Sequence, residues 1–249
     1  MLDLTIYFPT QMAMASMCMI VLCAAIVQAS LGMGYGLTAA PLLALVDPVF
    51  VPVATIVIGM ISSTIGAVSE HTQILWEDVL IAVTGRLAGA VAAVFVISLV
   101  VEVNGFLILF GGAVGAAVLL SAFGHSLRKT GHSLFAMGSV SGLMGTITGV
   151  GAPPLALVYQ GSYAGQARPT LAAIFAFGCA CSLIMLTLID WVGIQEIVTA
   201  SLLLPPMFLG TAVGRKLRSR LQRRYRFALL LVSGAAAVLL IVKGAAGQA

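Results

Sequence analysis

The sequence predicts an all-α polytopic membrane protein that consists of two inverted repeats, and three observations support this prediction. First, 61% of the 249 residues are hydrophobic and only 8% are charged, whereas soluble domains carry about 25% charged residues. Second, a glycine-rich motif followed by proline occurs twice inside hydrophobic sequence. Third, most basic residues lie in two loops between hydrophobic runs. The composition excludes a water-soluble protein, and the net charge of +4 does not indicate a nucleic-acid partner because it reflects membrane topology.

The repeated motif interrupts the hydrophobic sequence at corresponding places in the two halves. It reads GMGYG at 32–36 and GTITGVG at 145–151, so a single shift places Gly36 on Gly149 and brings a following proline into register. Glycine and proline both interrupt helices. Within lipid, an interrupted backbone occurs only where protein or a water-filled cavity satisfies its polar groups. Paired interruptions of this kind are typical of a transporter's binding site.

Ten apolar segments follow one another along the chain, and two of them are too short to cross a bilayer. A spanning helix needs about 20 residues, but 35–46 and 152–160 are shorter, and each directly follows a glycine motif. We therefore predict two re-entrant hairpins, in which 12–31 pairs with 35–46 and 133–148 pairs with 152–160. The remaining segments are 50–69, 79–101, 105–123, 170–189, 196–214 and 227–242.

The distribution of basic residues predicts the orientation of these segments. Loops 124–132 and 215–226 are basic and should be cytoplasmic. Following the chain from these loops places both termini outside and gives repeat one, 12–123, and repeat two, 125–242, opposite orientations. No long linker separates the repeats, so residues 1–249 form a single transmembrane domain. The sequence does not distinguish a monomer from a homodimer.

Two further glycine pairs occur with a spacing of four residues. Gly85 and Gly89 lie in the segment 79–101, and Gly210 and Gly214 lie in the segment 196–214. Small residues four positions apart allow two helices to approach closely. We therefore predict that both pairs serve helix packing.

The interrupted segments predict a binding site for an anion at the bilayer centre. Short helices that begin near Tyr35 and near Gly151 would direct free N–H groups and the positive ends of their dipoles towards the midplane. This arrangement needs no fully buried charge. An alternative is that nearby polar side chains only satisfy the interrupted backbone. The predicted substrate-binding residues are Gln28, Ser30, Gly32, Gly34, Tyr35, Gly36, Ser63, Ser141, Gly145, Thr146, Thr148, Gly149, Gly151 and Cys181.

Two arginines could guide the anion, and each has an alternative role. Arg86 lies in a membrane segment, where an ionisable residue indicates a function by default. Counted back from Val101, Arg86 also lies close enough to the cytoplasmic end to extend to the lipid headgroups. Arg168 precedes Pro169 at the predicted cytoplasmic mouth, where it could attract outgoing anions or only fix the topology.

The sequence contains no pattern that indicates catalysis or metal binding. The cysteines form no CxxC pair, and no histidine lies at metal-ligand spacing from them. Buried cysteine usually packs as a small hydrophobic residue. We therefore predict a protein that is not an enzyme and that needs no cofactor. The four cysteines are Cys18, Cys23, Cys179 and Cys181.

The ordered set of motifs resembles the TauE/SafE sulfite exporter family. The pattern QASLGMGYG at 28–36 is followed by Pro41 and an aliphatic run, and the second half repeats it as SGLMGTITGVGAPP at 141–154. The resemblance covers nearly the whole chain. It implies a multi-pass protein of the bacterial inner membrane that moves small sulfur-containing anions, such as sulfite, thiosulfate or organosulfonates.

The expected mechanism is alternating access, in which one repeat moves against the other. An inside-negative potential favours anion exit by about 2.3 kcal/mol per charge per 100 mV, so we expect an exporter whose partners are its anionic substrate and the lipid bilayer. A transporter or channel for another small solute remains an alternative. So does a thiol–disulfide electron carrier that uses Cys18 or Cys23 with Cys181.

Overall fold

The computed structural model describes residues 9–31, 34–100, 102–217 and 224–247, and all regular structure within these ranges is helical. The predicted all-α class is therefore confirmed. Two short 3-10 turns, Pro48–Phe50 and His71–Gln73, flank the third helix. The α-helices are α1 (Gln11–Leu31), α2 (Tyr35–Val46), α3 (Val53–Ser69), α4 (Trp76–Ser98), α5 (Val103–Phe123), α6 (Gly131–Thr148), α7 (Ala152–Tyr159), α8 (Ala164–Thr187), α9 (Ile194–Leu202), α10 (Leu204–Leu217) and α11 (Arg224–Ala245).

Six stretches of helix in the described part of the chain are long and apolar enough to cross a membrane. They belong to α1, α4, α5, α8, α9 together with α10, and α11. Two further apolar helices are shorter, since α2 has 12 residues and α3 has 17. This pattern confirms the prediction of a multi-pass membrane protein.

The two glycine motifs interrupt the chain at the predicted places. α2 begins at Tyr35 and α7 begins at Ala152, each directly after a motif. Gly34, which precedes α2, has a φ of 119°, and Gly149, which follows α6, has a φ of 77°. Glycine adopts such angles at little cost, whereas residues with a Cβ rarely do. Each motif therefore supplies the residue that its break requires.

One predicted segment is divided in the structure. The apolar run 196–214 forms α9 and α10, which are separated at Leu203. Pro205 and Pro206 follow directly. Because proline has no backbone N–H, it cannot continue the hydrogen bonding of α9, but it fits the first turn of a new helix. The two helices together have the length of one span, as predicted for this segment.

α4 packs closely along α6 through glycine. Gly85 faces the backbone of Phe135, and Gly89 faces the backbone of Ser139. A methyl group on either glycine would overlap these backbone atoms. The contacts occur in the same order along both helices, so α4 and α6 run parallel to each other.

α10 packs along α1 in the same way. Gly210 faces the backbone of Leu22, and Gly214 faces the backbone of Ile26, so these two helices are also parallel. Both glycine pairs therefore serve close helix packing, and that prediction is confirmed.

The two short helices are enclosed by the helix bundle. In α2, Ala39 and Leu43 are fully buried, and in α7, Leu155 is fully buried and Val158 is 2% exposed. α2 packs against α1, α5 and α11, and α7 packs against α5, α6 and α8. Protein therefore surrounds the interrupted backbone, which is the condition under which broken helices occur at membrane depth.

Candidate functional site

The two glycine motifs meet in the structure. Gly36 faces the carbonyl group of Gly149 so closely that a side chain on Gly36 would overlap it. A cavity of about 50 Å³, here called the central cavity, lies at this contact. The structure thus places both motifs around one cavity. The predicted residues that line it are Gln28, Gly34, Tyr35, Gly36, Ser63, Arg86, Gly145, Gly149 and Gly151.

Arg86 lies in the middle of α4, and only 2% of its surface is exposed. Since α4 begins at Trp76, Arg86 is its eleventh residue of 23 and lies about 15 Å along the helix axis. The alternative in which Arg86 extends to the lipid headgroups is therefore wrong, because the side chain points into the protein. The expectation of a site without a buried charge is also wrong.

The guanidinium group of Arg86 is held by one serine. Nη1 donates a hydrogen bond to Oγ of Ser141 at 2.5 Å, and this Oγ donates to the carbonyl oxygen of Gly151 at 2.5 Å. Nε of Arg86 is buried without a hydrogen-bond partner. Within the described ranges no carboxylate forms an ion pair with Arg86; the ion pair found there joins Lys129 to Asp78. No described residue therefore neutralises the charge of Arg86.

Glycines make room for this side chain. Gly178 lies so close to Nε of Arg86 that a methyl group on the glycine would overlap it. A Cβ on Gly151 would lie 2.7 Å from Nη1, and a Cβ on Gly145 would lie 3.2 Å from Nη2. The ring centroid of Phe175 lies 5.5 Å from Cζ, within the range of a cation–π interaction. Gly145 and Gly151, which belong to the second glycine motif at the helix break, therefore also leave space for the guanidinium group of Arg86.

The N-termini of α2 and α7 border the same cavity. Tyr35 and Gly36 of α2 and Ala152 of α7 all line it. Oε1 of Gln28 accepts a hydrogen bond from the N–H of Tyr35 at 3.0 Å, which attaches the start of α2 to α1. The positive ends of two helix dipoles therefore add to the charge of Arg86, and the arrangement as a whole favours a bound anion.

Comparison with known proteins identifies the family of this chain. The family model described as Sulfite exporter TauE/SafE matches residues 17–240, which is nearly the whole chain. The chain belongs to the TauE/SafE family. No curated protein and no solved structure matches it. Family membership and the six apolar stretches together make this protein a membrane transporter.

In this TauE/SafE protein, four predicted binding residues form internal hydrogen bonds and do not line the cavity: Ser141, described above, and three others. Oγ of Ser30 donates to the carbonyl oxygen of Gly214 at 3.0 Å. The hydroxyl groups of Thr146 and Ser182 share a hydrogen bond of 2.7 Å. Oγ1 of Thr148 donates to the carbonyl oxygen four residues earlier at 2.7 Å. Ser30 and Thr148 therefore have the alternative role, in which the side chain satisfies a backbone carbonyl group. The hydrogen bond of Thr146 joins α6 to α8.

The walls contributed by α3 and α8 differ from the prediction. Cys181 was predicted to line the cavity, but Cys179 lines it instead, together with Phe175 and Gly59. Phe175 and Cys179 are four residues apart, as are Gly59 and the predicted residue Ser63, which also lines the cavity. Residues four apart share a helix face, so this periodicity is the signal that could have identified Gly59 from the sequence.

Two further predicted residues remain. Gly32 lies outside the described residues. Arg168 lines a second cavity of about 130 Å³ instead of the central one. Gln28 and Ser63 line both cavities. The second cavity therefore adjoins the central cavity of this TauE/SafE transporter.

Proposed function

We propose that this TauE/SafE protein exports small sulfur oxyanions, such as sulfite, thiosulfate or an organosulfonate, through the central cavity. One observation carries the proposal: Arg86 is buried without a carboxylate partner among the described residues, at the place where two helix N-termini converge. Burying an unneutralised charge is costly. A bound anion would remove this cost, so the cavity has a built-in preference for negative charge.

The size of the central cavity suits a small anion. Its volume is about 50 Å³. On the same measure one water molecule needs about 10–15 Å³, so the cavity has room for roughly three to five waters or one compact oxyanion. Sulfite and thiosulfate are compact oxyanions. A longer organosulfonate would extend from the central cavity into the second one.

An inverted repeat is supported by the packing partners of the two glycine pairs. Gly85 and Gly210 occupy corresponding places in the two halves, and they pack on Phe135 and Leu22 respectively. These two partners also correspond to each other, under the same shift that relates the two glycine motifs. The second glycine of each pair also contacts a residue whose counterpart, under that same shift, is contacted by the second glycine of the other pair. Reciprocal interfaces of this kind are expected around a pseudo-twofold axis.

The contact between the motifs indicates where this axis would lie. Gly36 and Gly149 are equivalent positions of the two motifs, and they touch each other. Equivalent residues of two related units touch only near the axis that relates them. The central cavity would then lie on the axis, where movement of one repeat against the other can open it to either side of the membrane.

The contacts of α7 support a re-entrant hairpin in the second repeat. The N–H of Leu127, in the loop before α6, donates to the carbonyl oxygen of Leu157 near the end of α7 at 2.9 Å. The hydroxyl group of Tyr159, at the end of α7, donates to Asp78 at 2.9 Å. The start of α6 and the end of α7 thus lie on the same side of the bundle, as a re-entrant hairpin requires.

The direction of transport follows from charge and orientation. With loops 124–132 and 215–226 in the cytoplasm, the protein lies in the bacterial inner membrane with both termini outside. An inside-negative potential of 100 mV then favours exit of a dianion by about 4.6 kcal/mol, twice the value for one charge. Of the described residues that line the central cavity, none is a carboxylate. The proposed export therefore uses the membrane potential without a proton-carrying acid in the cavity.

The test is flux of radiolabelled sulfite, thiosulfate and sulfoacetate in proteoliposomes under an imposed potential of either sign. We expect saturable, potential-sensitive flux of at least one anion, loss of flux in Arg86→Gln, and normal flux in Arg128→Gln, which removes an exposed loop arginine. Counterflow would separate a carrier from a channel. Absence of flux for every sulfur anion, with the protein folded, would contradict the proposal.

A further inference from the structure

The second cavity lies between α1, α3, α8 and α10 and has a volume of about 130 Å³. Arg168 of α8 and Arg215 of α10 both line it. Its remaining polar wall includes the hydroxyl groups of Ser62 and Ser63 of α3. The cavity thus combines two cationic groups with hydroxyl donors, which is the chemistry that binds oxyanions.

The two arginines are available to a ligand. Arg168 is half-buried and Arg215 is exposed, and neither forms a hydrogen bond or an ion pair with a described residue. One exposed carboxylate, Glu70, also lines the cavity, without forming an ion pair with either arginine. The titratable side chains around the cavity therefore leave a net positive charge. A cleft with a net positive charge raises the local concentration of anions.

We propose that the second cavity is a subsite for small oxyanions that loads the central cavity from the cytoplasmic side. Arg215 begins the basic segment 215–226, which defines the cytoplasmic face in the proposed orientation. The inference rests on the proposed function, because it assumes that the anion then moves to Arg86. An anion would pass from two arginines at the mouth to one arginine at the midplane.

Gln28 and Ser63 form the partition between the two subsites, because both residues line both cavities. Gln28 also accepts the hydrogen bond from the N–H of Tyr35 at the start of α2. A displacement of Gln28 that widens the passage would therefore release the N-terminus of α2. This contact couples passage of the anion to the position of a short helix in the central site.

The first experiment measures the electrostatic potential of the second cavity directly. Ser69→Cys, at a residue that also lines the cavity, is introduced into a chain whose four native cysteines are replaced by alanine, and the new thiol is modified with an anionic and with a cationic methanethiosulfonate reagent. We expect Arg168→Gln and Arg215→Gln each to lower the anionic-to-cationic rate ratio by about fivefold, as Coulomb interaction in a wet cavity predicts. Arg128→Gln is the matched control and should leave the ratio unchanged. A ratio insensitive to both cavity arginines would overturn the proposal.

The second experiment asks whether the subsite serves one face of the membrane. In oriented proteoliposomes, Arg215→Gln should raise the KM for sulfite severalfold at the cytoplasmic face and leave the KM at the opposite face unchanged. Equal changes at both faces would contradict a loading subsite. Sulfoacetate, which does not react with the methanethiosulfonate reagent, should also slow modification of the introduced thiol in phosphatidylcholine vesicles. If phosphatidylglycerol abolishes this protection, the arginines bind lipid headgroups and the proposal is wrong.

Failure of the inference and failure of the proposed function give different results. If Arg86→Gln transports normally, the proposed function fails, while the rate ratio still reports on the second cavity. If Arg86→Gln is inactive but the anionic-to-cationic rate ratio is unchanged in Arg168→Gln and Arg215→Gln, the central binding site is supported and the loading subsite is excluded.

Discussion

Replacing Arg86 by methionine should affect anion binding and ligand-free stability differently. Arg86 is 2% exposed and forms no ion pair with a described residue, so the ligand-free protein carries a buried charge. Replacing buried ionic groups with apolar side chains of similar volume can raise the free energy of unfolding by up to about 4 kcal/mol. The change also removes the hydrogen bond to Ser141, a loss of about 1.5–3 kcal/mol, but Ser141 keeps its bond to Gly151. We therefore expect ligand-free Arg86→Met to be at least as stable as the unmodified protein.

The loss of anion binding should be much larger. Two unit charges 4 Å apart interact by about 4 kcal/mol at an effective dielectric constant of 20, which corresponds to roughly a thousandfold change in Kd. A dianion would lose still more. The Kd of Arg86→Lys for the anion should lie between those of the unmodified protein and Arg86→Met. Lysine retains the positive charge but cannot reproduce the geometry of the hydrogen bond to Ser141.

The assay is thermal unfolding in detergent at increasing sulfite or thiosulfate concentration. An anion at one hundred times its Kd stabilises the folded protein by about 2.7 kcal/mol, so the unmodified protein should show a clear rise in Tm. Arg86→Met should show none, and the exposed-loop variant Arg128→Gln should respond normally. An unchanged ligand-induced rise in Arg86→Met would refute the assignment of the anion to Arg86. A large fall in its ligand-free Tm would show that Arg86 is a structural residue.

Three further predictions concern the surroundings of Arg86. Gly178→Ala should abolish transport in the flux assay, because the added methyl group would overlap Nε of Arg86. Gly112 faces open space, so the control variant Gly112→Ala should transport normally. Equal transport by the two variants would show that Gly178 makes no room for the arginine. An anionic methanethiosulfonate reagent should inactivate the transporter at Cys179, which lines the cavity, and sulfoacetate, which does not react with the reagent, should protect it. Cys179→Ala should resist the reagent, while Cys23→Ala should remain sensitive. Replacement of all four cysteines by alanine should preserve anion transport, and its loss in a folded protein would favour the thiol–disulfide alternative.

The breaks of the fold were predictable from the sequence because their causes are local. Glycine at positive φ and proline in a first helical turn act through the backbone of the same few residues. The starts of α2 at Tyr35 and of α7 at Ala152 were therefore predicted closely. The packing role of Gly85 and Gly210 was predictable for the same reason, since small residues at a spacing of four create a flat helix face.

The position of Arg86 was not predictable in this way, because burial depends on residues far away in the chain. Ser141 on α6 and Gly178 on α8 create its surroundings, and neither lies near Arg86 in sequence. The prediction also counted back from Val101, whereas α4 runs from Trp76 to Ser98, so it placed Arg86 too close to the membrane surface. Hydroxyl groups were ambiguous for a different reason: serine and threonine within helices often bond to a carbonyl of the preceding turn, as Thr148 does.

The two halves share a backbone pattern but differ in the chemistry of the site. Under the shift that relates the two glycine pairs, Arg86 corresponds to Thr211. Under the shift that relates the two glycine motifs, Ser141 corresponds to Gln28. The central cavity therefore receives one charge, from the first repeat. An empty site carries +1, and a site occupied by a dianion carries −1.

This charge balance bears on how the membrane potential can drive both halves of a transport cycle. If Arg86 moves across the field during alternating access, an inside-negative potential pushes the loaded site outwards and draws the empty site inwards. Each half-cycle then gains up to about 2.3 kcal/mol per 100 mV, and the two add to the value for exporting a dianion. A monoanion would leave the loaded site neutral, so the potential would accelerate only the return of the empty site. In potential-jump measurements, the potential should therefore change the rate of the outward step with a divalent substrate but not with a monovalent one. The rate of the inward step should depend on the potential equally with both substrates.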